Sequence, residues 1–94
     1  MTDRIAELRR AITANDEDIV AAVNERLRLV AELWEIKAHT GTDRIDPERE
    51  RALRATLAAA NSGPLSAEGL HRLVDELLDL TKQELATLPE RGSR

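Results

Sequence analysis

The stretch that decides the fold is DRIAELRRAITANDEDIVAAVNERLRLVAELWEIK, residues 3–37. Its apolar residues Ile5, Leu8, Ile12, Ile19, Val23, Val30 and Leu33 recur by threes, fours and sevens, which is the signature of one helical face. Neither glycine nor proline interrupts it, and Ala, Leu, Glu and Arg are strong helix formers. The spacing predicts a continuous helix from Asp3 to Lys37, with Thr2 or Asp3 as its cap. Such a helix is about 50 Å long. A compact chain of this size has a radius of gyration of only about 12 Å. One protomer cannot cover both ends of the rod; the simplest remedy is a partner, and a symmetric dimer is the commonest kind.

Working outward, Asp46 reads as an N-cap, Pro47 as the first helical residue and Glu48 as a first-turn carboxylate. That second helix carries Leu53 and Leu57 and stops near Asn61-Ser62-Gly63-Pro64. Ser66 caps a third, with Leu70, Leu73, Val74, Leu77, Leu78, Leu85 and Leu88 as its apolar residues, ending before Pro89. No run alternates with period two, so no strand is expected. The fold class is therefore all-α: a three-helix protomer with one long N-terminal helix, as a domain over residues 1–90 with a frayed tail at 91–94.

Composition excludes several functions. The chain has 94 residues, no cysteine, 34% charged residues and a net charge of −4. Disulfides, thiolate metal sites and a cysteine nucleophile are ruled out, and a cytoplasmic setting is expected. The charge density leaves no membrane span, and the opening MTDRIAELRR lacks the apolar core of a secretion signal. Nucleic-acid binders usually carry the opposite charge balance, and Trp34 is the sole aromatic residue. No metal is expected: Glu68-x-x-His71 has di-iron spacing without the remaining glutamates, and Glu35 with His39 is two ligands at a helix end. No phosphate-binding glycine loop is present, since Gly41 and Gly63 read as helix stops.

The apolar seam of helix 1 is interrupted by cations. Arg26 lies seven residues after Ile19 and seven before Leu33, and Lys37 follows eleven residues later. At about 100° per residue the two share a direction to within about 20°. A cation on an inward face needs a carboxylate partner or an anionic ligand. Arg9 points elsewhere, about 25 Å from Arg26 along the same helix. On spacing alone it is a solvated residue, although an antiparallel second chain could carry it to the Arg26 region. Arg49 and Glu50 sit in the first turn of helix 2, where surface charge is the plainest reading.

Taken in order, Leu8-Arg9-x-x-Ile12, Asp16-x-x-Ile19, Asn24-Glu25-Arg26, Ile36-Lys37, Asp46-x-x-Arg49-Glu50 and a late Gln83 resemble the all-helical chorismate mutases of the AroQ class, over nearly the whole chain. The resemblance implies an intertwined homodimer whose two sites are each completed by the other chain. It implies a small dicarboxylate substrate, no cofactor, and an activating pathway enzyme among the candidate partners. Chorismate would rearrange to prephenate by a [3,3] sigmatropic shift. By the same resemblance, Arg9 would reach a substrate carboxylate from the partner chain and Arg26 would bind one from its own. Lys37 and Gln83 would hold the ether oxygen, Glu50 the ring hydroxyl with backbone near Asp46, and Arg49 would add positive field. Asp79 departs from the pattern, standing four residues before Gln83 where the family often has a small hydroxyl residue that touches a carboxylate. An ionised Asp79 facing a dianion would be repelled, so it turns outward, pairs with an arginine or marks a different substrate. Isochorismate pyruvate lyase and 4-amino-4-deoxychorismate mutase share this fold and are the alternative reactions; a helical dimerisation module is the non-enzymatic one.

Overall fold

The computed structural model describes residues 2–88, and the expected tail at 91–94 lies outside them. Three helices follow in order: α1, Thr2–Thr40; α2, Pro47–Ala60; and α3, Ala67–Glu84. At about 1.5 Å per residue α1 is about 58 Å long, and the molecule measures 60 × 26 × 16 Å with a radius of gyration of 17.2 Å. The long helix thus sets the largest dimension of the protomer, as the unbroken stretch predicts. No helix among the described residues is long and apolar enough to cross a membrane.

The helix ends have local causes. Asp46 caps α2, its carboxylate accepting from the Arg49 amide at 3.1 Å, and Pro47 opens the helix where a missing N–H costs nothing. Ser66 caps α3 by accepting from the Gly69 amide at 2.9 Å. Helix α1 runs three residues beyond Lys37 and stops at Gly41, whose φ of +73° is open to glycine without strain. There the Thr42 amide donates to the Lys37 carbonyl at 2.9 Å, the bond of a Schellman turn. Two expected boundaries shift. Asp3 sits inside the first turn of α1 instead of capping it, still favoured by the helix dipole. Helix α3 ends at Glu84, earlier than the approach to Pro89, because Ala86 and Leu88 each donate three residues back and tighten the chain out of α geometry.

Packing is centred on α3, which lies against both α1 and α2, whereas α1 and α2 do not pack on each other. Helices α1 and α3 run in the same direction: Arg26 meets Thr81, and Arg44, which stacks on Trp34, meets Leu88 further along. The buried set is small. Val74 (1% exposed), Thr81 (5%) and Trp34 (6%) are the buried residues among those described. Ile5, Leu8, Ile12, Ile19 and Leu33 of the predicted stripe remain largely exposed. Soluble monomers rarely leave so long an apolar row open.

Between α2 and α3, Arg54 donates to Asp75 at 2.5 Å, and His71 lies 3.4 Å from the same carboxylate. The Arg54 hydrogen bond holds the Asp75 carboxyl below its ordinary range, against an opposing effect of burial and with smaller help from the charges of His71 and Arg54. A carboxylate whose pKa falls on folding stabilises the fold above its unfolded pKa and loses that contribution as pH falls through the folded value. Asp75→Asn is therefore expected to melt below the wild type at pH 7. The gap should close as pH drops below 3.8, the ordinary value for this group, in melting curves followed by circular dichroism.

Candidate anion-binding cleft

Because α1 and α2 stand apart, a cleft of about 320 Å³ opens between them, with α3 as its third wall. That volume falls in the range of small-molecule sites. Helix α1 contributes Arg26, Leu33, Trp34 and Lys37; the connecting loop contributes Arg44 and Asp46; α2 contributes Arg49, Glu50 and Leu53. The α3 wall consists of Leu78, Thr81 and Lys82. Its lining mixes apolar side chains with charged ones, five cationic side chains to two carboxylates. A dense excess of positive charge beside low-dielectric walls attracts anions whatever the net charge of the whole chain.

Each predicted side chain has a definite place. Arg26 and Lys37 face one way, as the eleven-residue spacing requires, and both are half-buried in the cleft. Arg26 donates to the Thr81 hydroxyl at 2.5 Å, and Thr81 in turn donates to the Leu77 carbonyl at 2.7 Å. The seam arginine is therefore held by a neutral oxygen, and its charge is not cancelled. Lys37 donates to the Arg44 carbonyl at 3.2 Å, again a neutral acceptor. Among the described residues, Arg26, Lys37, Arg49 and Glu50 make no ion pair. Asp46 lines the cleft while its carboxylate is engaged as the α2 cap. Arg9 is exposed on the far half of α1 and is not among the cleft residues of its own protomer.

Two predicted residues point away. Asp79 and Gln83 are exposed and do not line the cleft. The reason is register. Thr81 is the buried residue of this segment, and positions two before and two after it lie about 160° round the helix on either side. Leu78 and Lys82 lie about 60° and 100° from Thr81 in one common direction, toward the cleft. The outward option for Asp79 is the one the helix adopts. The signal was available: position 81 falls four after Leu77 and four before Leu85, so a polar Thr81 interrupts the α3 stripe as Arg26 interrupts that of α1.

Arg44 was also missed. Its guanidinium lies 4.5 Å above the centre of the Trp34 ring and donates to the Leu88 carbonyl. Trp34 is buried, and through Arg44 it anchors the loop that carries the Lys37 acceptor. Among the described residues no three side chains able to bind a metal converge. His71 and Glu68 are engaged separately, His71 with Asp75 and Glu68 with Arg72.

The family model for chorismate mutase type II matches residues 8–84. The chain belongs to that family. No curated protein and no solved structure matches it at a significant level. The matched span contains every cleft residue named above and also Arg9.

The Arg26–Thr81 bond can be tested without knowledge of the ligand. Thr81→Val keeps the shape of the side chain and removes the acceptor, leaving a half-buried guanidinium unsatisfied. A loss of about 1–3 kcal/mol is expected in urea denaturation at fixed protein concentration.

Proposed function

We propose that this type II chorismate mutase family member rearranges chorismate to prephenate, as an intertwined homodimer with two shared sites. The observation that carries the reading is the cleft itself: Arg26, Lys37 and Arg49 converge with Glu50, and none of the four is neutralised by an ion pair among the described residues. A site held this way is ready for a ligand with more than one negative charge.

The chemistry matches what the side chains offer. In the [3,3] shift the ether C–O bond breaks as a new C–C bond forms, and all electrons move within the substrate. No nucleophile, general base or external electron acceptor takes part. The protein must hold a flexible dianion with its two reacting ends together, an effect of orientation. It must also place donors where the ether oxygen gains negative charge. Arginine forks suit carboxylates, and an ammonium suits a point of developing charge. Arg26 therefore binds one carboxylate, Lys37 faces the ether oxygen, and Glu50 accepts from the ring hydroxyl beside the Asp46 backbone. Arg49 adds positive field at the mouth.

The second carboxylate takes an arginine from outside this protomer's cleft. That arginine is Arg9 of the other copy. The exposed row Ile5, Leu8, Ile12 and Ile19 belongs to the same half of α1, so covering the row and delivering the partner's Arg9 are one event. Association by a two-fold axis makes both sites at once.

Purified protein given chorismate should yield prephenate, identified by chromatography. Salicylate and pyruvate from isochorismate alone would replace the reaction on the same fold. Lys37→Ala should lower kcat by about 10²–10³-fold, the usual cost of one donor to developing charge. Unchanged activity in that variant would sink the assignment.

The shared site has its own test. Arg9→Ala should lose activity and remain dimeric in sedimentation. Mixing it with Lys37→Ala chains gives heterodimers in which one site of two has both native groups, so random exchange should restore about a quarter of wild-type activity. Recovery of nothing would place Arg9 and Lys37 in the same chain's site.

A further inference from the structure

Lys82 lies in the cleft wall, on the α3 face it shares with Leu78. Three observations bear on it. First, its direction is fixed by Thr81, which is buried and bonded to Arg26, so α3 cannot turn Gln83 inward without breaking that contact. Second, Lys82 makes no ion pair and no side-chain hydrogen bond among the described residues, so its charge is uncommitted. Third, α1 and α3 run side by side from the Arg26–Thr81 contact toward Arg44 and Leu88, the end where Lys37 lies. Lys82 follows Thr81 in that direction and stands, exposed to solvent, in the α3 wall of the cleft.

We propose that Lys82 is a catalytic residue of this cleft, an ammonium donor that acts with Lys37 on the substrate's ether oxygen. The inference rests on the chorismate mutase reading, and it replaces the neutral amide expected from Gln83 with a second positive charge. An ether oxygen has two lone pairs and can accept from both lysines. As the C–O bond breaks, that oxygen becomes the negative end of the separating fragments. The attraction of each ammonium for it then grows, and only interactions that grow on the way to the transition state raise kcat. A hydrogen bond from a charged donor is roughly twice as strong as one from a neutral donor. No proton need move, and no co-reactant is consumed.

The test compares Lys82→Ala, Lys82→Gln and Gln83→Ala in the full chain, with circular dichroism and sedimentation to confirm fold and assembly. Lys82→Ala should lower kcat/KM with chorismate by about 10²–10³-fold, mostly through kcat. Lys82→Gln keeps a donor without the charge and should recover part of the loss, leaving a deficit of about tenfold. Gln83→Ala, a solvated position, should stay within about twofold of wild type. The same order should appear in binding of an oxabicyclic dicarboxylate shaped like the transition state, which a merely structural lysine would not produce. An active wild type with indifferent Lys82 variants and a crippled Gln83→Ala would overturn this inference and leave the reaction standing. A Lys82→Ala effect confined to KM would overturn the role on the ether oxygen. Wild-type protein inert toward both chorismate and isochorismate would overturn the reaction and this role together.

Discussion

A helix of 39 residues cannot be covered by the rest of a chain of 94. This mismatch governs the molecule. Helix α3 shields the C-terminal half of α1, and α2 is held off by α3 and never reaches α1. Two consequences follow from the same geometry. The N-terminal half of α1 keeps an apolar row open along its length. The gap between α1 and α2 stays wide enough to be a cleft and not a packed core. Extra helices that filled the gap would make a better monomer and remove the site.

Within the cleft, charge is held in place by neutral acceptors. Arg26 rests on a threonine hydroxyl, and Lys37 on a loop carbonyl. A carboxylate in either position would fix the side chain equally well and cancel the field. The α2–α3 contact shows the alternative, where Arg54 is spent on Asp75 and lowers the carboxyl's pKa. The two contacts use the same residue type for opposite ends: one closes a seam, the other leaves a cation oriented and available. Preorganisation of this kind is what gives fixed charges their advantage over water.

Much of this was legible in the amino-acid sequence, and the exceptions are instructive. The length of α1, the caps at Asp46 and Ser66 and the common direction of Arg26 and Lys37 follow from local rules of turn chemistry and helical period. The face of α3 is one exception: the resemblance carries a role to Gln83, whereas the stripe points to Thr81 and the helix leaves Gln83 outside the cleft lining. A polar residue inside an apolar stripe is a register mark, and reading it as such puts Lys82 and not Gln83 in the wall. Arg44 could not be placed by period at all. It lies in a loop, and its stacking on Trp34 depends on the packing of three segments distant in sequence. The same holds for the early end of α3, which is set by hydrogen bonds of the last turn and not by Pro89 itself.

The excess of cationic over anionic side chains in the cleft bears on the surrounding salt. Cations confined in a narrow space gather small anions from solution, and a dianionic ligand must displace them. Part of its binding free energy is then the entropy of released salt, which shrinks as the medium already holds more ions. Affinity for an anion at a cleft of this charge therefore depends on ionic strength as well as on shape. A neutral ligand of identical outline would gain nothing from that exchange.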